Sequence, residues 1–199
     1  MGSRDSSDPR SQNFSTVLAA AQAGTPWAST AIWVEYSPAI AAFLKARGSR
    51  EPEDLTSEVF LAAFDTLPQF VGGETQFRSF LFSIAYRRLT DELRKRSRWG
   101  ESAQWSDDDD PRTSPSAEDL AVGRMGNSSA LALLDGLPVD QRTVMVLRIV
   151  GDLTIEQIAE VIGKRPGAVK ALQRRALEAL RKKVTPGRTL PGASGDSRE

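Results

Sequence analysis

The sequence predicts an all-α protein of two small helical domains joined by a flexible acidic linker. Apolar residues recur at helical spacing in residues 27–99 and again in 128–184, and no run alternates apolar with polar side chains as a half-buried strand would. Between the two blocks, from Gly100 to about Ser128, that periodicity is lost in a polar stretch rich in Asp, Ser and Pro. Near the C-terminal end, TIEQIAEVIGKRPGAVKAL spaces Ala159, Gly163 and Val169 as a helix-turn-helix requires for two helices to cross closely.

Residues 1–26 read as a disordered or weakly helical extension, with a short helix expected over Phe14–Ala23. From Trp27, the residues Ile32, Trp33, Tyr36, Ile40, Phe43 and Leu44 mark a helix that Pro38 should kink or divide and Gly48 closes. Pro52 opens the next helix, with Glu51, Glu53 and Asp54 near its first turn and Leu55, Val59, Ala62, Ala63 and Leu67 as its apolar stripe. Pro68 and the Gly72-Gly73 pair end it in a loop. A helix beginning near Gln76 turns Phe77, Phe80, Leu81, Ile84, Ala85, Leu89 and Leu93 inward and Arg87, Arg88, Arg94, Lys95, Arg96 and Arg98 outward. The aromatic residues Phe77, Phe80 and Phe82 are assigned to packing rather than to stacking on bases.

After the linker, residues 100–127, a second domain is expected over 128–184 and a disordered tail over 185–199. In it Val139–Val150 forms a helix, Thr154 and Gln157 make a capping box, Gly163 stops the capped helix, and Pro166 starts the last one. Lys164, Arg165, Lys170, Gln173, Arg174 and Arg175 line the outer face of that last helix or just precede it. Between Thr154 and Val184 eight basic residues face three acids, although the whole chain is balanced at 26 basic and 26 acidic residues. Such segregation suits a phosphate backbone and a major groove, whereas a helical hairpin with a merely solvated basic face is the plainer alternative.

Composition narrows the chemistry. The absence of Cys and His removes disulfides, thiolate nucleophiles, imidazole acid-base groups and the usual zinc ligands. A carboxylate-Mg²⁺ hydrolase would need facing acidic pairs, yet Glu53, Asp54 and Glu58 form the one moderate cluster. The run Asp107–Asp110 lies in a segment without the fixed geometry of a metal site, so neither metal nor cofactor is expected. No apolar run reaches the length of a membrane span, which points to a cytoplasmic, non-enzymatic DNA-binding protein without membrane insertion. A dimeric repressor or activator would meet the same description.

The order EPEDLTSEVFLAAF, FRSFLFSIAYRRLTDELRKRSR, acidic linker and LDGLPVDQRTVMVLRIVGDLTIEQIAEVIGKRPGAVKALQRRALEALRKKV resembles the extracytoplasmic-function (group 4) sigma factors of bacterial RNA polymerase. The resemblance spans roughly Trp27 to Lys183 and implies sigma region 2 over 27–99 and region 4 over 128–184. It implies binding to core polymerase at the β′ clamp helices through Asp54, Leu55, Glu58 and Phe60, and at the β flap. Asp54 and Glu58, four apart, share one helix face, though acids there also cap and solvate a helix. For the −10 promoter element it implies base capture by the loop Val71–Gln76, with Gly73, Glu74, Thr75 and Gln76 as readers. Arg78, Arg87, Arg88, Asp91, Arg94 and Lys95 would lie along the opened strands. Glycines allow close backbone approach there, although an ordinary polar turn would read alike. For the −35 element it implies Thr154, Lys164, Arg165, Pro166, Gly167, Lys170, Gln173, Arg174 and Arg175. The acidic linker would thread the polymerase channels, and an anti-sigma factor is the remaining expected partner.

Overall fold

The computed structural model describes residues 9–98 and 131–184, with side chains from Asn13 to Lys183. The linker, Trp99 and the C-terminal tail lie outside the described residues. Four α-helices and a short 3-10 helix build the first domain: α1 Pro9–Gln22, α2 Pro26–Ala46, α3 Pro52–Thr66, the 3-10 turn Leu67–Gln69 and α4 Glu74–Arg98. The second domain holds α5 Val139–Ile149, α6 Ile155–Ile162 and α7 Pro166–Val184. No strand occurs among the described residues.

Proline at the first helical position starts α2 and α3, where its missing N–H removes no intrahelical bond. Inside α2, by contrast, Pro38 neither divides nor ends the helix, which runs on to Ala46. Pro38 is exposed, so its ring meets solvent rather than a packed neighbour, while Ile32, Tyr36, Ile40, Phe43 and Leu44 keep one continuous buried face. These residues pack against Val59, Phe60 and Ala63 of α3 and against Phe77, Leu81, Phe82, Ala85 and Leu89 of α4.

The N-terminal segment departs most from expectation. Instead of a weak helix from Phe14, α1 begins at Pro9 and buries Phe14, Leu18 and Ala21 in the first-domain core. The Phe14 ring lies 5.4 Å from that of Phe77. This domain therefore includes α1 rather than starting at Trp27.

In the second domain both halves of the expected capping box form. The Gln157 N–H donates to Thr154 Oγ1 at 3.3 Å, and the Thr154 N–H donates to Gln157 Oε1 at 2.8 Å. Gly163 ends α6 in the left-handed region at φ 66°, so that the Lys164 N–H reaches Ala159 O at 2.9 Å. Thr154→Ala should lower stability by about 1 kcal/mol, read as a drop of a few degrees in Tm. Helix α6 buries Val161 as well as Ile158 and Ala159, because it packs against α7 and also against α4 of the first domain. The two domains are thus in contact.

Candidate polymerase and nucleic-acid interfaces

On α3, Asp54 and Glu58 are exposed on neighbouring turns beside a shallow cleft lined also by Glu51, Arg88, Asp91 and Lys95. Glu58 Oε2 pairs with Arg88 Nη1 at 3.4 Å, so a residue expected to face polymerase touches one expected to face DNA. Both are largely solvated, and the pair adds little to stability. Glu92, which no sequence pattern singles out, accepts from Ser49 Oγ at 2.8 Å and from the Arg50 N–H at 3.0 Å. It thereby fixes the chain just before α3. Phe60 requires correction as a polymerase contact, being fully buried in the first-domain core with the Trp33 ring 4.7 Å away, whereas Leu55 is buried but also lines the cleft beside Asp54 and Glu58. The apolar stripe of the sequence includes Leu55 but not Phe60, and apolarity at both positions serves packing; Leu61 is the exposed apolar residue of α3.

The loop before α4 is held at both ends. Upstream, the Phe70 ring sits 5.4 Å from Phe77 and 5.3 Å from Phe80. Downstream, the Gly73 N–H donates to Gln76 Oε1 at 3.1 Å, an N-cap to α4. A Cβ on Gly72 would lie 2.9 Å from Gln76 Cβ and 3.0 Å from Phe70 Cζ, so this position tolerates only glycine without a shift. Glu74 points back into the domain, where it meets Arg78 Nη2 at 3.1 Å and the Tyr36 hydroxyl. Burial, reinforced by the Glu74 carboxylate, pushes the Tyr36 phenol above its ordinary range, so it stays a neutral hydrogen-bonding group. Glu74, Thr75 and Gln76, expected in the loop, instead form the first turn of α4, where Thr75 and Gln76 remain exposed.

Gly73, Glu74, Thr75, Gln76 and Arg78 therefore come together at the N-terminal end of α4. Arg87, Arg88, Asp91, Arg94 and Lys95 lie farther along it: a rise of 1.5 Å per residue puts Arg88 about 15 Å from Arg78, and Lys95 about 25 Å. Arg87 Nε donates to Ser83 O, and Arg94 approaches Asp91 at 3.9 Å. Phe77 and Phe82 are fully buried and Phe80 packs against Phe77 and Phe70, consistent with their assignment to the core.

The second domain presents a row of cations. Arg165, Lys170, Arg174 and Arg175 are exposed at the start and along the outer face of α7, with Gln173 half-buried between them. Lys164 pairs with Asp140 at 3.1 Å and Arg174 with Glu178 at 3.8 Å. Val169 and Ala176 face inward and seat the helix. Pro166 and Gly167 sit exposed at its first turn, where backbone can approach a phosphate, and Thr154 is engaged by its capping box.

Contact between the domains falls on the loop just described. Gln157 Nε2 donates to Thr75 O at 2.9 Å, and Arg78 Nη1 pairs with Asp152 at 3.4 Å. A Cβ on Gly151 would stand 2.7 Å from Leu147 O and 3.2 Å from Phe82 of the first domain. Arg47, at the end of α2, is held below its ordinary pKa by burial and by the charge of Arg142 on α5. The Nε atoms of both arginines are buried without hydrogen-bond partners.

Residues 32–98 match the family model "Sigma-70 region 2", and residues 128–180 match "Sigma-70, region 4". The chain is 36% identical over 132 residues to the ECF RNA polymerase sigma factor ShbA of Streptomyces griseus, covering 65% of this chain and 69% of that protein. This chain belongs to the ECF sigma factors of the sigma-70 family. As a sigma factor it directs promoter-specific transcription initiation by RNA polymerase. A second relative, the ECF sigma factor SigD of Mycobacterium tuberculosis, is 29% identical over 185 residues, covering 87% of this chain and 84% of that protein. The sigma factor RpoE of Bartonella quintana, solved with the anti-sigma factor NepR, shares the fold. Its TM-score is 0.63 at 22% identity, covering 78% of this chain and 95% of that one. In this sigma factor α1 lies wholly before the span matched to region 2. No helix among the described residues is long and apolar enough to cross a membrane.

Proposed function

We propose that this sigma factor performs no chemistry of its own and divides its work among three surfaces. The exposed acids Asp54 and Glu58 of α3 dock on basic residues of the β′ clamp helices, the loop Gly73–Gln76 with Arg78 and the outer face of α4 opens and reads the −10 element, and α7 reads the −35 element. The observation that carries this division is the preorganised loop at the head of α4, held by Phe70, Gly72 and Gln76, on the same chain as the exposed cationic row of α7. A loop already fixed in space can accept an unstacked base without first being ordered. Region 2 function is assigned to the domain comprising α1–α4, region 4 function to residues 128–184 with a further contact to the β flap, and a spacer function to residues 100–127. The protein acts in the cytoplasm, beside its polymerase. The complex of RpoE with NepR supports an anti-sigma factor as a further partner.

Runoff transcription with purified core polymerase and a genomic fragment library tests the assignment. Discrete start sites that depend on this chain are the expected result; DNA binding without core binding or new transcripts would overturn it. Replacing Asp54 and Glu58 together by Ala should weaken core binding about tenfold or more, since charge-assisted pairs at an interface are lost. The Tm should stay close to that of the parent, because both side chains are exposed. Unchanged core affinity in a titration would move the docking surface elsewhere.

A further inference from the structure

The last residue of α1 holds the chain at the point where the −10 loop begins. We propose that Gln22 is a positioning residue for −10 reading: its carboxamide fixes the backbone at Leu67 and Phe70 and so sets the path of residues 71–76. The inference rests on the assignment of that loop to the −10 element.

The geometry is specific. Gln22 Nε2 donates to Leu67 O at 3.0 Å and to Phe70 O at 2.7 Å, which uses both amide protons. Leu67 O also accepts the Phe70 N–H at 3.0 Å, so the end of the 3-10 helix is closed by a side chain from a different element. Gln22 adds a second donor to Leu67 O and supplies one to Phe70 O, where the chain leaves the helix for the loop.

Gln22 is itself well anchored. Phe14, Leu18 and Ala21 bury one face of α1, and beyond Gln22 the chain reverses through Gly24 at φ 77°. There the Gly24 N–H bonds to Ala21 O at 2.9 Å and the Thr25 N–H to Ala20 O at 3.0 Å. Phe70 is thus fixed twice, by its carbonyl through Gln22 and by its ring through Phe77 and Phe80. From Phe70 to the cap at Gly73 only Val71 and Gly72 intervene, and the Val71 side chain is 93% exposed. Holding both ends of so short a span removes freedom that a captured base would otherwise have to remove on binding. Neither hydrogen bond touches DNA, so the effect of Gln22 passes through the loop.

Gln22→Met retains length and bulk and removes both donors; Gln22→Glu presents acceptors where donors are needed. Leu18→Ala weakens the packing of the same helix and leaves both hydrogen bonds in place. Each variant is assembled into full-length holoenzyme. The probe is fork-junction DNA bearing the −10 sequence identified by runoff transcription, or that sequence with one base replaced, alongside Thr75→Ala and Gln76→Ala as direct loop variants. The readouts are discrimination between the two forks, core affinity and Tm.

For Gln22→Met and Gln22→Glu, discrimination should fall about tenfold, the scale set by one or two lost hydrogen bonds, with core affinity unchanged. Leu18→Ala should lower Tm and leave discrimination intact. If the loop variants lose discrimination while both Gln22 variants keep it, or if Leu18→Ala loses as much as they do, Gln22 has no positioning role and the loop assignment survives. If the loop variants also keep full discrimination, the loop does not read the −10 element and the inference falls with it.

Discussion

Phe77→Ala should cost about 3–5 kcal/mol, the range for truncating a fully buried aromatic side chain, and leave the first domain close to unfolding. The Phe77 ring lies 5.4 Å from Phe14, 5.5 Å from Tyr36, 5.4 Å from Phe70 and 6.0 Å from Phe80. One side chain therefore joins α1, α2, the loop and α4. Its removal leaves a cavity that surrounding aromatic rings cannot close without leaving their own positions. Urea denaturation followed by circular dichroism should show the first domain melting far below its normal midpoint. Phe77→Leu, which refills part of the volume, should recover a substantial share. A loss below about 1 kcal/mol for Phe77→Ala would mean that these rings do not form the centre of the domain.

Lys170→Ala with Arg174→Ala should abolish −35-dependent transcription while leaving core binding and Tm near their normal values. Both residues are exposed on α7, and their polar contact among the described residues is the 3.8 Å approach of Arg174 to Glu178, which contributes little to the fold. On the proposed assignment their role is contact with nucleic acid. Each phosphate contact removed should make the dependence of log affinity on log salt shallower by about 0.9. Affinity for the −35 duplex, measured as a function of salt, checks the slope, and runoff transcription checks the function. Unaltered promoter activity in the double variant would refute this use of α7.

The helices were legible because their apolar residues keep a period close to 3.6 over long stretches, as in α4, where Phe77, Leu81, Ile84, Ala85 and Leu89 are all buried. The helix-turn-helix was legible because Thr154, Gln157 and Gly163 act within a few residues of one another. Other features lay beyond local pattern. The burial of α1 rests on Phe14, Leu18 and Ala21 among several alanines that would suit either face of a helix, so its stripe is faint in sequence. Leu55 and Phe60 are as apolar as a docking surface would be, and only the placement of α2 and α4 shows that they are already covered. The bond from Gln157 to Thr75 spans 82 positions, and the pair of Glu58 with Arg88 spans 30. Local pattern makes Gln157 half of a capping box, and no local rule names a partner for its amide protons.

The contact between α6 and the head of α4 places residues of region 4 on the groups assigned to the −10 strand. Thr75 and Arg78 are engaged by Gln157 and Asp152, so on the proposed assignment an incoming strand meets a competitor on the same chain. Apparent affinity for the −10 strand is then the intrinsic affinity multiplied by the fraction of molecules in which the two halves stand apart. Arg47 and Arg142 bring like charges together across the same contact, and Arg142 is also paired with Asp135 at 2.6 Å. Asp152→Asn in the full-length chain removes the second-domain partner of Arg78, which keeps its pair with Glu74, and should tighten binding of the −10 strand; equal affinity would show that closure imposes no such competition. On the proposed assignment, a −10 strand would have to displace this contact between the chain's two halves to reach the head of α4.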